Sequence, residues 1–175
     1  MSDETEQVLD PVGFVLVDAE GPPGHRTFYL QAGAPGRLVT LVIEKEQAVA
    51  LASSIDRLIL SVLRGDPTLA ESLSGDLPEP TSVVPGDPLF RVAEMQLGVD
   101  EGRRVFILVA REVPEDLGPG PTVRIVASYR QMVALARRAT RVVQAGRPVC
   151  RLCGRPIDPD GHFCTRSNGH GTLPA

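Results

Sequence analysis

The sequence predicts an α+β protein in which a βββα unit occurs twice. Its antiparallel sheets and two helices are expected to share one core, with a small cysteine-bearing tail behind them. Three observations predict this: the chain resembles itself at matched positions, short apolar runs are cut by Gly/Pro turns, and all three cysteines fall within the last 26 residues. Arg26–Ala32 (RTFYLQA) resembles Arg104–Ala110 (RVFILVA), and Glu46–Ile55 (EQAVALASSI) resembles Arg130–Ala139 (RQMVALARRA), with VALA common to both. Phe14 opens FVLVDAE and Phe90 opens FRVAEMQ at corresponding places. An internal repeat constrains the architecture before any single element is assigned.

Taken in order, residues 1–9 are polar and acidic and read as a disordered terminus. The repeated domain covers 10–146: repeat one at 10–64, a linker at 65–88 and repeat two at 89–146. In each repeat an apolar strand (Val12–Asp18; Leu89–Met95) meets a glycine-bearing turn (EGPPGHR; GVDEGRR). A second strand (Thr27–Ala32; Val105–Arg111), another turn (GAPG; VPEDLGPGP) and a third strand (Leu38–Ile43; Thr122–Ala127) follow. Runs rich in Val, Ile, Leu and Phe between such turns favour antiparallel pairing.

A helix closes each repeat. Ala48, Leu51, Ala52, Ile55, Leu58, Ile59 and Val62 fall on one stripe, and Val133, Leu135, Ala136, Ala139, Val142 and Val143 do the same in the second copy. Ser128 with Gln131 three residues on gives a capping-box pattern at the start of the second helix. Three strands and one helix bury too little surface alone, so the copies are expected to share a core about a pseudo-two-fold axis. The linker, Arg64–Pro88, holds five prolines and five acids and reads as a surface crossing.

The start of the chain is acidic, and the longest strongly apolar run, Leu38–Ile43, is far too short to span a bilayer. Three clustered cysteines make a poor disulfide framework and agree with a reducing compartment. A soluble, cytoplasmic protein is expected. Residues 1–123 carry 9 basic and 20 acidic side chains, whereas 124–175 carry 9 arginines against Asp158 and Asp160. From 128 to 157 there are seven arginines and no acid: Arg130, Arg137, Arg138, Arg141, Arg147, Arg151 and Arg155. This is the candidate surface for a protein partner or nucleic acid, set against the plainer reading of a solvated helix face.

The tail, 147–175, carries CRLCGRPIDPDGHFC at residues 150–164. A tetrahedral zinc ion takes four N or S ligands at about 2.0–2.3 Å, and a C-x-x-C-G turn sets two thiolates on one side of it. Zinc ribbons repeat the C-x-x-C in their second half, but here Ser167 stands three after Cys164. The ligands are therefore Cys150, Cys153 and Cys164 with either His162 or His170, between which spacing alone does not choose, or else the fourth position is open. A redox C-x-x-C opens a helix after a strand; this one follows a helix and enters a Pro/Gly-rich tail. No position stands vacant for water and no Glu lies beside the site as a base, so the zinc is expected to be structural.

Catalysis is not expected. The chain has no P-loop, dinucleotide fingerprint or nucleophile elbow. His25 lies in a turn beside Arg26, where an imidazole is commonly solvated surface.

The repeats together with GHRTFYLQA, EKEQ and the tail motif C-x2-C-G-x-P-x-D-P-x-G-H-x-C resemble a family of short bacterial proteins of unknown function, typical of actinobacteria, that end in a Cys/His zinc knuckle. The resemblance spans nearly the whole chain, and its G-H-x-C ending implies His162 as the fourth ligand. The family is described as one of a trio with a phosphoinositide-kinase-like and a histidine-phosphatase-like protein. That implies protein partners and no activity of its own. RTFYLQAGAPGRLVTL followed by a helix is also similar in shape to PUR-type repeats, which pair into an intertwined unit and bind single-stranded nucleic acid. Here most strand faces lack aromatics and the first copy is acidic.

Overall fold

The structure is a computed structural model, described for residues 6–22, 25–75, 80, 85–112, 120–145, 150–155, 157 and 161–166. It is mixed α+β. In chain order the elements are β1 (Glu6–Leu9), β2 (Phe14–Glu20), β3 (Thr27–Ala34), β4 (Arg37–Ile43), α1 (Lys45–Gly65), α2 (Leu69–Ser74), β5 (Phe90–Arg91), β6 (Glu94–Asp100), β7 (Val105–Arg111), β8 (Thr122–Ser128) and α3 (Tyr129–Gln144).

Two four-stranded sheets form, with orders β5-β4-β3-β2 and β1-β8-β7-β6. Each is an antiparallel meander of three strands with a short strand added in parallel at one edge. The added strand comes from the other half: β1 pairs with β8 (Glu6↔Thr122 to Leu9↔Ile125), and β5 pairs with β4 (Leu41↔Phe90, Val42↔Arg91). The backbone changes sheet within one residue at both places. Val12 N donates to Val126 O and Gly13 N to Gly33 O; likewise Val92 N donates to Val42 O and Ala93 N to Arg111 O.

This corrects three expectations. The segment 1–9 was expected to be disordered, yet Glu6–Leu9 is a strand, because Leu9 buries its side chain in the core and Arg124 pairs with Glu6 at 2.9 Å. The linker 65–88 contains a third helix, α2, which buries Leu73; its segments 76–79 and 81–84 lie outside the described residues. The strand expected over Leu89–Met95 is two strands, β5 and β6, broken where the chain crosses between sheets.

One apolar core joins both sheets to both long helices. Ala48, Leu51, Ala52, Ile55 and Ile59 face it from α1, and Met132, Leu135, Ala136 and Ala139 from α3. The VALA tetrapeptides thus place a leucine and an alanine of each helix at the centre, where small side chains let the helices approach. α3 packs against α1 and β2, and α1 against α3 and β6, so each helix touches the sheet built by the other half. The core is aliphatic except for Phe28, Phe90 and the edge-to-face pair Phe106–Tyr129, centroids 5.5 Å apart. Each large side chain buried there contributes about 1.5–3 kcal/mol.

Glutamines tie the halves. Gln47 accepts from Glu44 N at 2.8 Å and donates to Val92 O at 3.1 Å. Gln131 accepts from Ser128 N at 2.8 Å and donates to Val12 O at 3.1 Å. Each side chain closes the first turn of its own helix and holds the crossing point of the opposite half. Among the described residues no helix is long and apolar enough to cross a membrane.

Candidate metal centre

The tail builds a second, separate cluster. Cys150 and Cys164 are buried with Ile157, and Cys153 packs against them. The C-x-x-C turn is closed by Gly154 N donating to Cys150 O and by Cys150 N donating to Arg155 O, both 2.8 Å. Gly154 has φ +71°, a left-handed conformation that a side chain would strain. The sequence therefore places glycine where the chain must double back behind Cys153.

Sγ of Cys150, Cys153 and Cys164 and a ring nitrogen of His162 lie within 4.8 Å of one another. Cys150 Sγ and Cys164 Sγ are 3.8 Å apart, and Cys153 Sγ is 3.2 Å from His162 Nε2. The sulfurs are too far apart for a disulfide, whose bond is about 2.05 Å. The Cys150–Cys164 edge matches a tetrahedral ion instead: a zinc–sulfur bond of about 2.3 Å gives a sulfur–sulfur edge of about 3.8 Å. The donor set, three soft sulfurs and an imidazole, suits such an ion.

The electrostatics agree. Burial opposes ionisation of Cys150, but the amides of Cys153 and Leu152 and the thiols of Cys153 and Cys164 outweigh it and hold Cys150 below the ordinary thiol value. The Arg155 amide favours the Cys153 thiolate, yet burial and its two sulfur neighbours push Cys153 above that value. The Cys150 thiolate is thus favoured at the expense of the Cys153 thiolate; metal binding requires its thiol ligands deprotonated. His162 Nδ1 is buried without a hydrogen-bond partner.

His170 and Arg147 lie outside the described residues. The other arginines of the candidate surface divide. Arg137, Arg141, Arg151 and Arg155 are exposed. Arg130 is exposed too, but donates to Ser72 O on α2. Arg138 turns inward, its side chain 13% exposed, donating to Val17 O, Pro80 O and Asp18 Oδ2, the last at 2.7 Å. Arg138 is therefore part of the fold, not of an open basic surface. The sequence reading missed Gln47, although Glu44-x-x-Gln47 repeats the spacing of Ser128-x-x-Gln131. It also missed Arg166, whose guanidinium donates to Leu152 O at 3.3 Å and braces the C-x-x-C turn.

The fold and the Cys3His cluster together define a two-sheet α+β protein with a candidate metal centre. The chain belongs to a family of proteins of unknown function, DUF3090, which matches residues 7–164, from β1 to the last cysteine of the cluster. No curated protein and no solved structure matches it.

Proposed function

We propose that this is a non-catalytic binding protein in which a duplicated, intertwined βββα body carries a structural zinc knuckle that docks a protein partner in the cytoplasm. The observation that carries the reading is the convergence of Cys150, Cys153, His162 and Cys164 within 4.8 Å at a tetrahedral sulfur–sulfur spacing. Zinc held by these four residues would supply the fold of a segment whose own core is only Cys150, Ile157 and Cys164. With four protein ligands the ion keeps no position for a reacting water. The matching sheet orders, the two crossing points and the paired Gln47 and Gln131 ties support duplication.

The resemblance supplies the first partners to try, the kinase-like and histidine-phosphatase-like proteins of the trio. Purified together with each, the zinc-loaded protein is expected to form a stable complex with one or both. The same chain with Cys150→Ser is expected to lose both zinc and the complex. Normal complex formation by a zinc-free Cys150→Ser protein overturns the docking role of the knuckle.

Nucleic acid is the weaker reading. Arg138 supports the fold instead, which leaves Arg137, Arg151 and Arg155 as exposed arginines for it among the described residues. If single-stranded nucleic acid binds through them, log affinity falls by about 0.7 per phosphate contacted for each unit of log salt. No binding at low salt removes it.

A further inference from the structure

The turn between β6 and β7 borders a cleft of about 230 Å³ in the body of the protein, lined by none of the metal ligands. Gly65 and Asp66 wall it at the end of α1, Glu101 and Arg104 in the turn, and Tyr129 at the first position of α3. Arg104 has φ +55°, the one positive value at a non-glycine among the described residues, a conformation that a long side chain rarely adopts. In RVFILVA it corresponds to Arg26 of RTFYLQA. Arg26 serves the fold: it donates to Val142 O at 2.7 Å and its guanidinium carbon lies 5.6 Å from the centre of the Phe28 ring. Arg104 does not. Its side chain is 66% exposed, and the carboxylate it faces, Asp66 Oδ2, stands 3.6 Å away. Tyr129 is 5% exposed, with its ring packed edge-to-face on Phe106, yet among the described residues no hydrogen bond reaches its hydroxyl. A buried phenol ordinarily finds a partner.

Both signs of charge line this one cleft. Asp66, Glu101 and the carbonyl end of the 21-residue α1 are negative, whereas Arg104 and the amide end of α3 are positive. Hydrogen bonds from Thr68 hold the Asp66 carboxyl below its ordinary value, so it is ionised at neutral pH. We propose that the cleft binds a small zwitterion of the free α-amino acid class. Its carboxylate accepts from Arg104 and from the unpartnered Tyr129 hydroxyl, its ammonium donates to Asp66 and Glu101, and Val62 and Leu69 supply apolar wall for its carbon atoms. A ligand of one sign fits less well, since an anion meets two carboxylates and a cation meets the guanidinium. The volume lies below the roughly 300–1,000 Å³ of pockets that hold drug-sized molecules, which sets the size. This site goes beyond the docking reading above and does not depend on the knuckle.

The test is calorimetric titration of the full-length, zinc-loaded protein with the standard free amino acids, the amines made by removing their carboxylates, and their N-acetylated forms. At least one amino acid is expected to bind, and its amine and its N-acetylated form are expected to bind at least about tenfold more weakly, each having lost one charged hydrogen-bonding group. Tyr129→Phe, which keeps the ring in the core, and Arg104→Gly are expected to weaken binding by at least the same factor. Glycine relieves the positive φ, so the Tm of Arg104→Gly is expected to be no lower than that of the parent. Should that change disturb the turn, Arg104→Gln removes the charge alone and is expected to weaken binding likewise. Amines or N-acetylated acids that bind as tightly as the amino acid overturn the zwitterion. Binding that survives both Arg104→Gln and Tyr129→Phe unchanged overturns the site, and no amino acid bound at millimolar concentration overturns the proposal. The trio complexes test the knuckle separately, so each reading can fail without the other.

Discussion

Cys153 and His162 meet across the knuckle, thiol sulfur to imidazole Nε2, at 3.2 Å. The G-H-x-C bend brings the imidazole to the same centre as the three sulfurs. Replacement of His162 by Ala is expected to weaken zinc retention at least about tenfold, whereas His170→Ala is expected to leave one zinc per chain. Elemental analysis after dialysis against a chelator checks both, and the visible spectrum of the cobalt-substituted protein reports whether three sulfurs still ligate. Zinc loss on His170→Ala with retention on His162→Ala reverses the assignment.

Gln131 and Gln47 make equivalent ties, each between a helix start and the crossing point of the opposite half. Gln131→Ala leaves Ser128 N and the carbonyls of Val12 and Gly13 without that side chain. A loss of about 1–2 kcal/mol is expected in urea unfolding, and a comparable loss for Gln47→Ala. A change below about 0.3 kcal/mol for either would show that the crossing is held by backbone pairing alone.

Arg138 and Arg137 are neighbours in sequence with opposite fates. Arg138→Met removes one donor from the Asp18 carboxylate and one from the Val17 carbonyl, and is expected to cost about 1–3 kcal/mol. Arg137→Met, on an exposed position, is expected to stay within about 0.5 kcal/mol. Thermal unfolding of the two variants side by side separates them.

Asp10 receives two hydrogen bonds from Arg103, Nη1 to Oδ2 at 3.0 Å and Nη2 to Oδ1 at 2.7 Å. These bonds hold its carboxyl below the ordinary value, against a smaller opposing effect of burial. A depressed folded-state value means that ionised Asp10 favours the fold. Its contribution is complete above the unfolded value of about 3.9 and is lost as pH falls through the folded value. The stability difference between the parent and Asp10→Asn is therefore expected to be present at about pH 7 and to be lost as pH falls below the unfolded value and through the lower folded one. A difference that persists in strong acid would assign the effect to something other than the carboxylate.

The parts legible in the sequence were those whose cause is local. The three-strand meanders and the helices followed from apolar period and Gly/Pro punctuation, and the ends of β7 and β8 fall within a residue of expectation. The Ser128–Gln131 cap and the grouping of the three cysteines followed from spacing, whereas His162 as the fourth member followed from the family resemblance. What escaped was set by distant partners. β1 and β5 are four and two residues long, too short to show a period, and each exists because the other half's sheet offers it an edge. α2 forms in a proline-rich stretch because Leu73 finds the core. Arg138 looks like any helix arginine until β2 brings Asp18 to it.

The pairing of β1 with β8 also sets an order of events during synthesis. Glu6 leaves the ribosome 116 residues ahead of its partner Thr122. At about 5–20 residues per second the nascent chain therefore carries an unmatched edge segment for roughly 6–23 seconds. The sheet of β2, β3 and β4 gains its fourth strand at Arg91, well before the other can begin to close. During that interval Val8 and Leu9 are open to chaperones and to neighbouring chains, so yield in a heterologous host is expected to respond to trigger-type holdases and to slower growth.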